Sequence, residues 1–163
     1  MAEVETVFIK LPGIEGSTKV KGLEGFIPFN SVSFIISSEA KSDNNGVLSV
    51  GGAHLTPFRA VKYDDYKTDD SMVMKMLSGE SFPEVIIVKA TTNKGKLVEN
   101  RRITLNNVCI ISAETILVND DRAISTFYFV SSKFKRESYS VGKDGSAVKV
   151  GPMAYDFTTA EAQ

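Results

Sequence analysis

The stretch PEVIIVKATTNKGKLVENRRITLNNVCIISAETILV, residues 83–118, decides the fold of this chain. Its first part, residues 83–92, is rich in β-branched side chains, which favour an extended backbone. Residues 93–95, Asn-Lys-Gly, tolerate the positive φ angles that a tight hairpin turn requires. Residues 96–118 then return to the strand pattern. The stretch therefore predicts two antiparallel strands joined by a hairpin turn.

The first of these strands is apolar on both faces. Because successive side chains of a strand point to opposite faces, Val85 and Ile87 share one face. Ile86 and Val88 share the other face, and segments 109–118 and 126–130 repeat the pattern. A small barrel fills its interior from one face only, so something else must cover the second face. Two explanations remain open: contact with another subunit, and a tightly packed sandwich.

The same period of two extends outward from this stretch in both directions. Predicted turns separate the segments at residues 119–121 and 142–145. The order of strands and short connections is typical of antiparallel pairing. The further strand-like segments are residues 7–11, 25–38, 54–63, 123–141 and 147–157.

One segment breaks the period, and it predicts a helix over about residues 70–78. Starting at Met72, apolar residues recur at i, i+1, i+4 and i+5, which places them on one helical face. Residues 69–71, Asp-Asp-Ser, provide candidates for capping its N-terminus, and Gly79 stands where a helix stop is expected. We expect this short helix to close the end or side of a barrel.

The predicted fold is mainly β: an antiparallel β-barrel built from two sheets with one short α-helix. At 163 residues and 17.8 kDa, the chain has the length of one domain, so we expect a single domain over residues 1–163. Residues 159–163 have the composition of a flexible tail.

Residues 38–52 are predicted to form an extended loop. Residues 43–46, Asp-Asn-Asn-Gly, give a strong turn signal within it. The spacing resembles a calcium-binding loop, but Lys41 stands at the first ligand position and Gly52 at the twelfth. We therefore expect no calcium there. A loop this long in a compact domain usually has a function or is disordered.

Charge and composition exclude several classes of protein. Lysine plus arginine number 19 against 20 for aspartate plus glutamate, so the net charge of -1 gives no footprint for nucleic acid or an anionic membrane. We find no apolar run long enough to span a membrane and no basic segment followed by a long apolar one. We therefore expect synthesis in the cytoplasm without a cleaved signal peptide, and no stable membrane insertion.

Signals for catalysis are weak along the whole chain. The single histidine, His54, has no nucleophile or orienting group nominated by a motif. The single cysteine, Cys109, lies in an apolar run, where a buried structural thiol is the ordinary interpretation. We predict no enzyme activity, no catalytic residue, no cofactor and no metal site.

Two groups of charged residues have ordinary structural explanations. Residues 133–136 alternate basic side chains with a phenylalanine, a pattern compatible with single-stranded nucleic acid, but the neighbouring Glu137 favours a solvated strand face. The acidic pairs at residues 64–65 and 69–70 are explained by a solvated turn and by helix capping. We expect no nucleic acid partner.

Seven segments, read in chain order, carry a resemblance to a known family. Individually they are loose motifs, and their order and spacing make the match specific. They are VFIKLPGIEGST (7–18), FNSVSFIISS (29–38), FRAVKYDD (58–65), MLSGESFPEVIIV (76–88), ITLNNVCIISAE (103–114), FYFVSSKFKRESY (127–139) and VGPMAYDF (150–157). In this order the sequence resembles the Hcp family, the tube-forming proteins of bacterial type VI secretion, which are similar to phage tail-tube proteins.

The resemblance implies a structural role. Hcp-like subunits close into homohexameric rings that stack into a hollow inner tube within a contractile sheath. The tube is itself secreted to the extracellular space or a target cell, and its lumen can shelter effector proteins. The implied partners are further copies of the chain, the sheath, baseplate and spike components, and effectors.

The extended loop supplies our candidates for assembly contacts: Val47, Leu48, Val50 and Gly51. Three of them are apolar side chains between polar ends, as expected if the loop lies against a neighbouring subunit or ring. The alternative function is a monomeric β-barrel that binds a small ligand, with aromatic side chains lining its interior.

Overall fold

Alternating apolar residues place most of the chain in strands, and the computed structural model describes residues 6–141, 144 and 146–162. In chain order the elements are β1 (Val7–Lys10), β2 (Ile27–Phe29), β3 (Ser31–Ser33), β4 (Ile36–Ser42), β5 (Leu48–Leu55), β6 (Phe58–Tyr63), α1 (Tyr66–Leu77), β7 (Phe82–Asn93), β8 (Lys96–Ile116), β9 (Ile124–Val130), β10 (Lys133–Val141), β11 (Ala147–Asp156) and β12 (Glu161–Ala162).

The long strand β8 belongs to two sheets. Its first half pairs with β7 and β10, within the order β12-β11-β10-β8-β7-β1-β2. Its second half pairs with β9, which continues through β6 to β3. Asn107, with a φ of 51°, lies where β8 passes from the first sheet to the second. All described pairings are antiparallel, which confirms the mainly β fold of two sheets with one helix.

Hydrogen bonding does not close these sheets into a complete barrel. Within the described residues, β2 pairs with β1 and β3 pairs with β6, but no ladder joins β2 to β3. Only Asn30 separates the two strands along the chain, and its N–H donates to the Val61 carbonyl at 2.7 Å. The chain therefore turns a corner at Asn30 and connects the two sheets covalently.

The space between the sheets is filled mainly by phenylalanine and aliphatic side chains. Phe58, Phe127, Phe129 and Phe134 are all buried there. The ring of the half-buried Phe34 packs against Phe58 with centroids 4.5 Å apart. Buried aromatic side chains contribute large apolar areas to a core. These rings occupy the space that the alternative function, a ligand-binding barrel, would need to keep open.

The second apolar face of β7 is covered by the chain itself. Val88 is fully buried beneath Leu23 and Phe26, which belong to the connection between β1 and β2. Phe8 completes this second cluster from the neighbouring strand β1. Of the two explanations left open, contact with another subunit is therefore wrong for β7, because a turn-rich segment of the same chain packs there.

The helix begins four residues before the predicted start. It covers Tyr66–Leu77 with Asp65 at its N-cap, instead of residues 70–78 capped by residues 69–71. Thr68 and Asp69 are buried within its first turns. The apolar pattern could not reveal those turns, because the residues that they bury are polar. Gly79, with a φ of 69°, follows the C-cap as predicted.

Two further segments differ from the expectations. Residues 38–52, predicted as a loop, lie in the hairpin of β4 and β5, which pair from Ile36↔Leu55 to Ser42↔Leu48. The predicted tail contains β12, which pairs with Tyr155 and Asp156 of β11. Part of the predicted turn at residues 142–145, and Gln163, lie outside the described residues.

The turn at residues 93–95 is confirmed. Lys94 and Gly95 have φ angles of 48° and 76°, and Asn93 pairs with Lys96 across the turn. Positive φ at both central residues matches the right-handed twist of the flanking strands. The short connection fixes the register of β7 and β8, the two most extensively paired strands of the fold.

Candidate functional site

The turn of the β4–β5 hairpin is held by one carboxylate. Asp43 Oδ1 accepts hydrogen bonds from the backbone N–H groups of Asn45 and Val47, both at 2.9 Å. The Gly46 N–H donates to the Asp43 carbonyl at 3.0 Å, and Gly46 has a φ of 77°. Asp43 thus supplies the turn with its acceptors, as expected of an aspartate at the first position of a turn.

The hairpin has one apolar face and one polar face. Residues directly opposite each other in an antiparallel pair lie on the same face. The pairs Ala40↔Val50 and Ser42↔Leu48 therefore place the two large apolar side chains together. The pair Lys41↔Ser49 lies on the opposite face. The hairpin is amphipathic although it covers none of the core along most of its length.

The apolar face is uncovered in the single chain. Val47, Leu48 and Val50 expose 61%, 72% and 71% of their surface. The face begins at the base of the hairpin, where Leu55 packs against the core. A two-stranded hairpin is marginally stable in water, and exposed apolar side chains on such a hairpin favour contact with a partner.

Gly51 lies on the polar face, in contrast to the other candidates. It pairs with Glu39 beside a register shift that leaves Gly52 unpaired, with a φ of 70°. The structure therefore brings Leu48 and Val50 together, places Val47 at the turn, and separates Gly51 from them. A bulge of this kind bends a strand and increases its local twist.

The charges on the polar face are exposed. Glu39 contacts Lys41 at 3.7 Å and the His54 Nε2 at 3.3 Å. Exposed pairs of this kind contribute little to stability. His54, the only histidine, is thus a surface residue near the base of the hairpin.

Other exposed apolar residues were not among the sequence candidates. One group lies on α1, one at the end of β8 and in the connection that follows, and one on β11, whose outer edge pairs with β12 only at Tyr155 and Asp156. The group at the end of β8 lies in segment 109–118, which the sequence showed to be apolar on both faces. The local patterns of the other two groups resemble those of buried residues, so sequence periodicity did not identify them. These three groups are Tyr66, Met74 and Leu77; Ile111, Ile116, Leu117 and Val118; and Val148, Val150 and Met153. Ile35 and Ile36 are also exposed, at the start of β4.

A buried charge cluster attaches α1 to the second sheet. The ammonium of Lys62, on β6, donates to the carboxylate of Asp69, on α1, and to the Tyr63 carbonyl at 2.9 Å. From β9, Ser125 Oγ donates to Asp69 Oδ2 at 2.5 Å. Lys62, Asp69 and Ser125 expose 2%, 5% and 1% of their surface. Charges buried this deeply are stable only when paired and hydrogen-bonded.

Burial alone would raise the pKa of Asp69. Hydrogen bonds from Asp64, Lys62 and Ser125, together with the Lys62 charge, outweigh burial and hold the pKa of Asp69 below its usual value. A serine beside a lysine resembles a nucleophile beside a base. Here, however, the Ser125 hydroxyl is buried and its proton points at Asp69. The arrangement holds the helix on the sheet.

The two lysines of the predicted basic segment at residues 133–136 are paired within the fold. Lys133 contacts Asp156 at 3.2 Å, and Lys135 contacts Glu137 at 3.2 Å. A hydrogen bond from Thr158, with Lys133 nearby, lowers the pKa of Asp156 to about 2. The lysines therefore face carboxylates of their own sheet.

Three remaining sequence predictions concern Cys109, metals and membranes. Cys109 is a half-buried thiol on β8, opposite Val130. Across residues 6–141, 144 and 146–162, no group of three or more His, Cys, Asp and Glu side chains is arranged to hold a metal ion. Within the same residues, α1 falls short of the length and apolarity that a membrane-crossing helix needs.

Comparisons with known proteins identify relatives of this fold. A family profile described as "Type VI secretion system effector, Hcp" matches residues 8–139. A comparison with curated proteins gave no match.

Several solved structures share the fold. One described as a type six secretion system protein has a TM-score of 0.86 at 20% identity, and the match covers 98% of this chain and 100% of that one. Hcp1 from Salmonella typhimurium has a TM-score of 0.78 at 19% identity, and the match covers 99% of this chain and 100% of that one. A type VI secretion system effector from Yersinia pestis has a TM-score of 0.69 at 19% identity, and the match covers 92% of this chain and 98% of that one. The profile match extends over most of the sequence, and the chain therefore belongs to the Hcp family of type VI secretion proteins.

Proposed function

We propose that this protein is a structural subunit of the type VI secretion inner tube. Copies of the chain form hexameric rings, and the rings stack into a hollow tube. The tube is secreted with the contraction of its sheath, and its lumen accommodates effector proteins. Its partners are other copies of the chain, the sheath, baseplate and spike components, and effectors.

The observation that carries this proposal is the uncovered apolar face of the β4–β5 hairpin. Beyond Leu55 at its base, this face contributes no residue to the core, and Leu48 and Val50 lie outside the core clusters. Val47 lies beside them at the turn. In a ring of identical copies, a protruding hairpin of one copy meets a different surface of the next, which is a heterologous contact. Apolar side chains on such a hairpin stabilise the contact by leaving water.

The overall charge is compatible with a tube of many copies. A net charge of -1 on each subunit gives little mutual repulsion when subunits are packed at high density. The exposed apolar residues of β11 and α1 offer additional surfaces for a closed ring and for components around it.

Leu48→Asp tests the proposal, with Ser49→Asp as its matched control. Both add one negative charge to adjacent exposed positions of β5, but only Leu48 lies on the apolar face. We expect the unmodified chain and Ser49→Asp to give ring-sized species by native mass spectrometry. We expect Leu48→Asp to shift the population toward the monomer, because a carboxylate in an apolar contact must lose its hydration.

Circular dichroism should show the same folded state for all three proteins, because both positions are exposed. The proposal fails if the unmodified chain remains a monomer at every accessible concentration. The role of the hairpin fails separately if rings form and both substitutions leave them equally intact. Secretion is then examined in cells with and without a functional sheath, and release that does not depend on the sheath would contradict the tube function.

A further inference from the structure

The tip of the β4–β5 hairpin contains an asparagine followed by a glycine, Asn45–Gly46. Asparagine is one of the thermally labile residues of proteins. In its spontaneous reaction, the backbone nitrogen of the next residue attacks the side-chain carbonyl carbon and ammonia leaves. Glycine hinders this attack least, because it has no Cβ and the widest backbone freedom. The dipeptide therefore provides both reactants of a covalent modification.

Both reactants are open to water. Asn45 is exposed, and no atom beyond the adjacent residues lies within 4 Å of where a Gly46 Cβ would be. The chain offers an internal comparison in Asn119, which is also exposed at a turn but is followed by Asp120. The side chain of Asp120 stands beside the nitrogen that would attack, so the same reaction is hindered there.

The folded turn engages the attacking nitrogen in another contact. The Gly46 N–H donates to the Asp43 carbonyl at 3.0 Å, whereas attack requires this nitrogen to lose its proton and turn to the Asn45 side chain. Asp43 Oδ1 accepts hydrogen bonds from the N–H groups of Asn45 and Val47, both at 2.9 Å, on either side of Gly46. The reaction therefore requires these hydrogen bonds to open.

Local opening of this hairpin is favoured by its surroundings. Strand β4 is exposed along its whole length, and β5 is exposed from Leu48 to Gly52. A two-stranded hairpin without cover is only marginally stable in water. Such an element opens at a lower free energy than the core, so the turn is released far more often than the chain unfolds.

We propose that Asn45 is a site of spontaneous deamidation and that Asp43 sets the rate by holding the turn closed. In the open hairpin the Gly46 nitrogen loses its proton to water and bonds to the Asn45 side-chain carbon. The bond from that carbon to the amide nitrogen breaks, and the leaving nitrogen takes up a proton as ammonia. One water molecule then opens the succinimide ring. The product at position 45 is aspartate or isoaspartate, according to which carbonyl carbon the water attacks.

The product changes the tip of the hairpin that we assign to assembly. It adds a negative charge two residues from Asp43, near the exposed side chain of Val47. A carboxylate that enters an apolar contact must lose its hydration. The modification therefore lowers the capacity of a free chain to enter a ring. This consequence rests on the proposed tube function, whereas the modification itself needs only one chain.

Timed incubation in water labelled with oxygen-18 tests the site. The label enters an asparagine side chain only if that residue deamidates during the incubation, and peptide mapping by mass spectrometry locates it. We expect Asn45 to be labelled faster than any other asparagine of the chain. Labelling of Asn45 no faster than that of Asn119 would overturn the proposal.

Asp43→Ala tests the restraint, with Asp43→Asn as its matched control. Both substitutions remove one negative charge, but an asparagine side chain keeps a carbonyl oxygen that accepts hydrogen bonds. We expect Asp43→Ala to deamidate at Asn45 about fivefold faster than the unmodified chain, as the loss of one net hydrogen bond gives. We expect Asp43→Asn to react there at nearly the unmodified rate. Equal rates in the alanine variant and the unmodified chain would exclude the role of Asp43, and so would equal acceleration by both substitutions.

The consequence for assembly is measured on aged protein. Anion exchange separates the deamidated chain from the unmodified chain, and native mass spectrometry compares the two fractions at one concentration. We expect a smaller population of rings in the deamidated fraction. If the unmodified fraction forms no rings, the proposed tube function fails while the labelling result stands. If both fractions form rings equally, the modification does not affect assembly and that part of the proposal is wrong.

Discussion

The β4–β5 and β7–β8 hairpins share one feature of their turns and have opposite surroundings. Each hairpin has a glycine with positive φ at its turn, Gly46 at 77° and Gly95 at 76°. The strand β7 is covered on both faces, by the main core and by the cluster around Leu23 and Phe26. Beyond its base, the β4–β5 hairpin is exposed on both faces, including the apolar side chains of Leu48 and Val50.

An apolar strand therefore does not by itself indicate a subunit contact. The second apolar face of β7 is covered by residues of the same chain, which sequence periodicity does not mark. In β5 the apolar residues find no cover, although they alternate with polar ones as in an ordinary half-buried strand. The surface that requires a partner is identified by exposure together with protrusion from the sheet, and the following substitutions test that distinction.

We expect Phe8→Ala to destabilise the fold more than any other substitution considered. Phe8 is fully buried and pairs with Val88 in the second cluster. Its removal leaves a cavity, so we expect the free energy of unfolding to fall by about 4 kcal/mol, as for buried aromatic residues in general. The measurement is urea unfolding followed by far-UV circular dichroism at a concentration at which light scattering reports the monomer.

Leu48→Ala is the counterpart of this substitution in the exposed hairpin. Because Leu48 makes no core contact, we expect a change within about 0.5 kcal/mol in the same measurement. Equal destabilisation by the two substitutions would show that the hairpin packs on its own chain, and the comparison would then be wrong.

The second expected effect concerns charge. Lys62→Met leaves Asp69 buried without its cation, and we expect the free energy of unfolding to fall by about 3 kcal/mol. This value is at the lower end of the range for broken buried ion pairs, because Ser125 still donates a hydrogen bond to Asp69. Glu39→Gln removes the exposed carboxylate that contacts both Lys41 and His54 on the hairpin. We expect that substitution to change stability by less than about 1 kcal/mol.

Salt separates these two charge contributions further. Screening should reduce the small effect of Glu39→Gln and leave the effect of Lys62→Met largely unchanged, because buried pairs are screened much less. Unfolding curves at low and high sodium chloride provide the measurement. A strong salt dependence for Lys62→Met would mean that the cluster is open to water.

The sequence predicted the elements whose signals are local. The turn at residues 93–95 follows from Asn and Gly, and the strands follow from alternation over many residues. The extent of the hairpin at residues 38–52 was missed because Gly51 and Gly52 interrupt the alternation that identifies β5. The start of α1 was missed because Thr68, which is buried in its first turn, is polar.

The candidate site was predicted only in part, because only part of its signal is local in the sequence. Val47, Leu48 and Val50 stand out as apolar residues between polar ends, and the structure shows them exposed. Their role in assembly remains a prediction. The charge cluster could not be predicted, because Asp69 and Ser125 are 56 positions apart in sequence and only the fold brings them together. Leu23 and Phe26 lie in a segment of turns, whose packing on β7 has no periodic signal.

The smallest expected effect comes from the two turns. Gly46 and Gly95 have nearly the same positive φ, and at both positions no atom beyond the adjacent residues lies within 4 Å of where a Cβ would be. Alanine at either position therefore introduces the same local strain, about 1 kcal/mol. The two hairpins also differ in what opens when the strain is relieved. Opening of the β7–β8 hairpin past its exposed tip uncovers Ala90 and then the rest of the core clusters, whereas the β4–β5 hairpin can open while the sheets remain intact.

We therefore expect Gly95→Ala to lower the free energy of global unfolding by the full local strain. For Gly46→Ala we expect a smaller decrease in the free energy of global unfolding, and faster amide exchange confined to β4 and β5. The strain is relieved when this hairpin opens locally, so it destabilises the rest of the fold less. Urea unfolding and hydrogen exchange measured on the two variants make the test. If the substitutions lower global stability equally, the β4–β5 hairpin unfolds together with the core, and its exposed apolar face belongs to the same cooperative unit as β7.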